Sequence, residues 1–122
     1  MPSPLQQSGS LGEDAAACHL RSCGFVVLRR NYHTRYGEAD IIARDAKYLL
    51  FVEVKSRRAE MWGTPAEAVT REKQRKIIKT AQHFMLDNPS LDLQPRFDVA
   101  EVFLNTDGKP VKLRWIKDAF GE

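Results

Sequence analysis

Phe51-Val52-Glu53-Val54-Lys55 is the stretch on which the reading of this chain turns. In an extended strand successive side chains point to opposite faces, so Glu53 and Lys55 share one face and Val52 and Val54 the other. An acid and a base two apart in an otherwise apolar strand are costly to bury unless something uses them. The run extends to Tyr48–Ser56, and its apolar centre predicts a strand inside the sheet. Just before it, Asp45-Ala46-Lys47 reads as a short turn and Ala39–Arg44 as another strand. A turn this short makes the two strands an antiparallel pair, which brings Asp40 within reach of Glu53. A plainer arrangement is also open, with Glu53 and Lys55 in a solvated cross-strand ladder and Asp40 capping a turn.

Outward from this pair the chain reads as helix, three strands, helix, two strands. Ser10-Leu11-Gly12-Glu13 fits a capping box, so the first helix is expected to start at Ser10 and to end at Gly24. Residues 1–10, polar and carrying Pro2 and Pro4, are expected to be a flexible tail before a single domain at 11–120. Phe25–Asn31 is the first strand. Arg57–Gly63 reads as a polar loop containing Trp62. Thr64-Pro65-Ala66-Glu67 has the form of a second helix start, with a break near Thr70 and an end near Leu86 before Asn88-Pro89. Arg96–Leu104 and Val111–Ile116 complete a mixed α/β sheet flanked by helices, in the order αβββαββ.

Two carboxylates and a lysine form the smallest set that supports phosphodiester hydrolysis. Asp40 and Glu53 offer hard oxygen ligands to Mg²⁺ or Mn²⁺, and Lys55 can orient the attacking water and offset phosphate charge. On the second helix Ile77, Ile78, Ala81, Phe84 and Met85 define the buried face, and Gln74 falls within it. A polar group there needs a partner, either Lys55, a metal-bound water or a core amide contact. Arg71, Arg75 and Lys79 repeat every four residues and form a stripe suited to DNA phosphates, or simply a solvated face. Arg57, Arg58 and Trp62 follow Lys55 and could clamp a strand or stack a base. Glu38, two residues before Asp40, is either a further site acid or strand-edge solvation.

The composition sets the outer bounds. At 122 residues, 43% hydrophobic and 29% charged, the chain suits one folded domain and excludes wholesale disorder. No segment approaches the roughly 18 apolar residues of a membrane span, and no export signal is readable, so a cytoplasmic location is expected. The net charge of +3 favours an acidic partner, and five of the nine residues Arg71–Lys79 are basic, which locates that preference. Cys18 and Cys23 are expected to be reduced and packed in the core. His19, His33 and His83 do not cluster, and no zinc-binding, Ser-His-Asp or phosphate-loop pattern appears.

Two longer stretches carry a resemblance. Asn31-Tyr32-His33-Thr34-Arg35-Tyr36-Gly37-Glu38-Ala39-Asp40-Ile41-Ile42-Ala43 and Phe51-Val52-Glu53-Val54-Lys55-Ser56-Arg57 resemble the YraN family of predicted endonucleases. The similarity continues through Gly63-Thr64-Pro65-Ala66-Glu67-Ala68-Val69, Lys73-Gln74 and Arg96-Phe97-Asp98-Val99. That family is similar to archaeal Holliday-junction resolvases within the PD-(D/E)XK nuclease superfamily. The resemblance implies a restriction-endonuclease-like core, a divalent metal and a nucleic-acid substrate. It places Asp40, Glu53 and Lys55 on the superfamily motif, although Ala39 stands where the motif has proline. It places Glu13 on the first-helix acid and Gln74 on a polar residue of the later helix. The expected function is a metal-dependent DNA endonuclease acting on branched or damaged forms; the rival is a nucleic-acid-binding module that cuts little or not at all. The metal is expected between Asp40 and Glu53, with the Val54 carbonyl and Glu13 as further ligands. By analogy with the resolvases, a two-fold homodimer is expected, because a junction presents two strands to cut.

Overall fold

The apolar run around Phe51 forms the middle of the sheet. A computed structural model describes residues 4–121, with side chains from residue 11 onward. The elements are α1 (Pro4–Ser22), β1 (Val26–Thr34), β2 (Gly37–Arg44), β3 (Tyr48–Arg58), a 3-10 turn (Ala59–Met61), α2 (Arg71–Asp87), β4 (Gln94–Leu104) and β5 (Pro110–Phe120). The five strands lie side by side in chain order, so β3 is central. β1, β2 and β3 form an antiparallel meander, and β5 returns antiparallel to β4. β3 and β4 run parallel from Tyr48↔Gln94 to Arg58↔Leu104, because α2 carries the chain back across the sheet between them.

The alternation in β3 sorts the core into two layers. Leu50 and Val52 face α1 and pack with Ala16, Ala17, Leu20, Ile41, Ala43 and Ala100. Leu49 and Phe51 face α2 and pack with Ile42, Ile77, Ala81, Phe84 and Phe97. Phe51 stacks on Phe97, and Phe97 on Phe120. Burying each such side chain contributes about 1.5–3 kcal/mol, so the central strand is anchored from both sides. Glu53 and Lys55 continue the α2-facing row beyond its apolar part.

The helix starts differ from those expected. α1 begins at Pro4 and runs straight through Ser10, so the capping box does not form and Glu13 is an interior helical residue. Proline is tolerated in a first helical turn, and Leu5, Gln6 and Gln7 favour continuation. Gly12 is buried against β3, where an added Cβ would lie 2.6 Å from Ser56 Oγ. Gly24 does end the helix: its φ is +90°, and its N–H donates to the Arg21 carbonyl. Thr64-Pro65-Ala66-Glu67 forms no helix. The Thr64 hydroxyl donates to the Met61 carbonyl and accepts from Arg57, while the Thr64 and Pro65 carbonyls accept from Arg114 and Arg57. α2 starts instead at Arg71, where the Thr70 hydroxyl accepts from the Lys73 N–H. Cys18 and Cys23 are free and exposed, not core residues. α1 buries Ala16, Ala17 and Leu20 and leaves the cysteine side to solvent.

Candidate active site

β2 and β3 pair only from Ile41↔Val52 to Arg44↔Leu49, and beyond that the two strands diverge. Asp40 is the first residue past the last pair. Its carboxylate crosses the gap, where Oδ2 accepts the Val54 N–H at 2.7 Å. This bond ties Asp40 to β3 between Glu53 and Lys55. Val54 thus meets Asp40 through its N–H.

Charge is poorly balanced in this fork. Burial and the nearby charge of Glu53 push the Asp40 carboxyl up to about 7, and the Val54 hydrogen bond offsets only part of that. Glu53 is buried and pairs with Lys73 of α2, Nζ to Oε1 at 2.5 Å. That bond raises the Lys73 pKa above its ordinary value. Lys55 lies half-buried on the same face, with Nζ 3.9 Å from Glu67 Oε2. Glu13 reaches the fork from α1. Burial raises its carboxyl, and its Oε1 lies 3.6 Å from Arg30 Nη2 without a hydrogen-bond partner among the described residues. Glu38 sits at the rim, exposed and paired with His33 at 3.1 Å.

The fold therefore brings Asp40, Glu53 and Lys55 together, with Glu13 at their edge. Among the described residues no three His, Cys, Asp or Glu side chains are already arranged around one metal position. Gln74 does not join them: its Nε2 donates to the Val69 carbonyl, which fixes the entry to α2. Arg57 is not a loop residue. It belongs to β3, is buried, and donates to Glu101 at 2.9 Å, which removes it from any surface track. Arg58 next to it is exposed and close to Glu60. Trp62 packs edge-on against Phe103, with Lys112 over its ring.

Arg71, Arg75 and Lys79 are exposed on one side of α2. With Gln74, Ile78, Gln82 and Gly121 they line an open groove of about 520 Å³. Arg71 and Arg75 have no carboxylate within ion-pair distance among the described residues. Sequence reasoning missed two residues at the fork, Lys73 and Glu67. Both lie within the segments that carry the family resemblance, but their contacts depend on where α2 begins. It also missed the buried acids of β4. Asp98 accepts from Arg96 twice, from Trp115 and from the Asp118 N–H. Glu101 accepts from Arg57 and Arg114. An acid inside a long apolar strand was the available signal.

Among the described residues, no helix is long and apolar enough to cross a membrane. Comparison with known proteins agrees with the motif resemblance. The model of uncharacterised protein family UPF0102 matches residues 12–102. A UPF0102 protein of Clostridium botulinum (strain Hall) is 42% identical over 113 residues, covering 92% of each chain. One from Clostridium kluyveri is 44% identical over 112 residues, again covering 92% of each. These descriptions name no activity. The matched residues 12–102 span Glu13, Asp40, Glu53 and Lys55 of this chain, and on both measures the chain belongs to family UPF0102.

Proposed function

We propose that this protein is a divalent-metal-dependent nuclease of the PD-(D/E)XK type that hydrolyses phosphodiester bonds in DNA. One observation carries the reading: Asp40 and Glu53 converge where β2 leaves β3, with Lys55 on the same face as Glu53. Their donor chemistry fits Mg²⁺ or Mn²⁺. Two hard carboxylates meet with one ammonium, that of Lys73, on Glu53 and none on Asp40, and a Glu13 oxygen with no hydrogen-bond partner among the described residues lies at their edge. Asp40 and Glu53 would hold the ion, with Glu13 reaching it directly or through water. A bound ion would supply Lewis-acid charge and a water made acidic enough to attack at neutral pH.

The chain's own residues would do the rest. Lys55 donates hydrogen bonds toward the attacked phosphate and its water, stabilising charge that develops in the transition state. The Val54 N–H keeps the Asp40 carboxylate turned to β3. Arg71, Arg75 and Lys79 would hold the DNA backbone alongside, independent of base sequence. Branched or damaged DNA is the substrate class we favour, and a two-fold dimer is part of that reading.

The test is a cleavage screen over duplex, single-stranded, flap and four-way DNA with Mg²⁺, Mn²⁺ or chelator. Cleavage of at least one substrate is expected, lost with chelator and in Asp40→Asn. Cutting that survives Asp40→Asn would exclude this site. Tight DNA binding with every substrate left intact would favour the binding-module reading instead.

A further inference from the structure

Glu53 and Lys55, the two charged residues that β3 presents to the fork, each have a partner of opposite sign on one short segment. Lys73 Nζ lies 2.5 Å from Glu53 Oε1, and Glu67 Oε2 lies 3.9 Å from Lys55 Nζ. The members of these pairs are unequal. The Glu53 side chain is 7% exposed and that of Lys55 20%, whereas Lys73 is 50% and Glu67 60% exposed. The sheet residues are fixed, and their partners stand at the surface on flexible stems. A buried carboxylate needs a cation or donors close by. At Glu53 the Lys73 ammonium fills that need from the side open to solvent.

The surroundings give this ammonium somewhere to go. An open cavity of about 330 Å³ beside it is lined by Gly37, Glu38, Thr70, Glu72, Lys76 and Ile77. Glu38 and Glu72 place carboxylates there, each exposed and already near one cationic group, His33 at 3.1 Å and Lys76 at 3.6 Å, with oxygens left to accept another. The main chain of Lys73 need not move, because its N–H is held by the Thr70 cap. An ammonium and a hard divalent ion bind the same oxygen lone pairs, so both cannot take the same Glu53 oxygen closely.

We infer that Lys73 is a resident counter-ion of Glu53 that competes with a divalent cation for this carboxylate and swings into the neighbouring cavity when the cation binds. The inference rests on the metal-site reading above and adds to it a residue that sets metal affinity. Lys73 neutralises Glu53 when no cation is bound there, and Glu67 does the same for Lys55 when no phosphate is.

The test measures Mn²⁺ binding without DNA, by calorimetry and by electron paramagnetic resonance. The chains are wild type, Lys73→Met, Lys76→Met and the Asp40→Ala plus Glu53→Ala double variant. Lys73→Met keeps the aliphatic stem and is expected to tighten Mn²⁺ binding about tenfold, the scale of one partly exposed charge-assisted pair. Lys76→Met removes the same charge one turn along α2, and a change under about twofold is expected there. In wild type, acetylation of Lys73 read by mass spectrometry should rise severalfold when Mn²⁺ is added, while Lys76 stays constant. Equal or weaker Mn²⁺ binding in Lys73→Met would overturn the inference, as would Lys73 labelling that ignores the ion. Those results leave the metal site standing provided the double variant still loses binding. Mn²⁺ binding to no chain, or equally to the double variant, would remove the metal site and this inference with it.

Discussion

The protein buries two groups of carboxylates and treats them in opposite ways. Asp98 and Glu101 in β4 are fully buried and fully partnered. Asp98 receives both arms of Arg96, the Trp115 indole N–H and a backbone N–H. Burial alone would push the Glu101 carboxyl up, but hydrogen bonds from Arg114 and Arg57 outweigh it and hold the carboxyl below its ordinary value. Asp40, two strands away, has one backbone N–H and no ion pair among the described residues, and it is held up to about 7. The difference separates two uses of a buried acid. Where arginine forks satisfy every oxygen, the acid locks strands together. Where Asp40 and Glu53 share one backbone N–H and the single ammonium of Lys73, charge stays under-compensated and the Asp40 carboxyl is held up.

The largest effect should come from the satisfied group. Glu101→Ala takes the buried carboxylate from both Arg57 and Arg114 and leaves Arg57 the Pro65 carbonyl, the Thr64 hydroxyl and the exposed Glu67, so about 3–5 kcal/mol of destabilisation is expected in denaturant melts. A loss under about 1 kcal/mol would break the comparison. Next, Lys55→Ala should reduce cleavage at least about a hundredfold, or roughly 2.7 kcal/mol, while DNA binding and melting stay near wild type. Unchanged cleavage would take Lys55 out of the chemistry.

A pH series sharpens the contrast at Asp40. Its folded pKa lies above its ordinary 3.8, so the folded state holds the proton more tightly than the unfolded chain. Stability from this group is therefore complete below about pH 4 and is lost as pH rises through about 7. In chelator, Asp40→Asn should match wild type near pH 4 and exceed its Tm by about 5 °C at pH 8. A constant difference would show that Asp40 is not under the strain described. The smallest effect concerns the arginines. Arg57, Arg96 and Arg114 are held by acids, whereas Arg71 and Arg75 are not. Replacing Arg71, Arg75 and Lys79 by Gln should weaken DNA binding about tenfold, evenly across sequences. It should also flatten the salt dependence by a slope of roughly 0.9 per lost contact. Folding stability should change by under about 1 kcal/mol. Coincident salt slopes would reduce the stripe to a solvated face.

Much of this was legible in the sequence because it depends on periodicity. Alternation in Tyr48–Ser56 made β3 central and set Glu53 and Lys55 on one face, and the short Asp45-Ala46-Lys47 turn brought Asp40 across. What was hidden depends on tertiary competition. The Thr64-Pro65-Ala66-Glu67 helix signal lost to Arg57 and Arg114, which take the very groups a helix start would use. The Ser10 cap lost to a continuous helix. Arg57 looked like a loop cation because its partner, Glu101, lies 44 residues away in sequence. Lys73 escaped notice since its place beside Glu53 belongs to a helix that starts at Arg71, capped by Thr70, and not at the Thr64 signal.

The latch on residues 64–70 has a consequence for proteases. This segment has no regular secondary structure and carries exposed Pro65, Ala66, Glu67 and Ala68, the profile of a favoured cleavage loop. Yet Thr64 and Pro65 are bolted from beneath by two arginines that are themselves held by Glu101. Thermolysin, which needs several residues of slack chain in its cleft, should find the native segment nearly uncuttable. In Glu101→Ala, under conditions where the fold persists, the same segment should become the first place the chain is nicked.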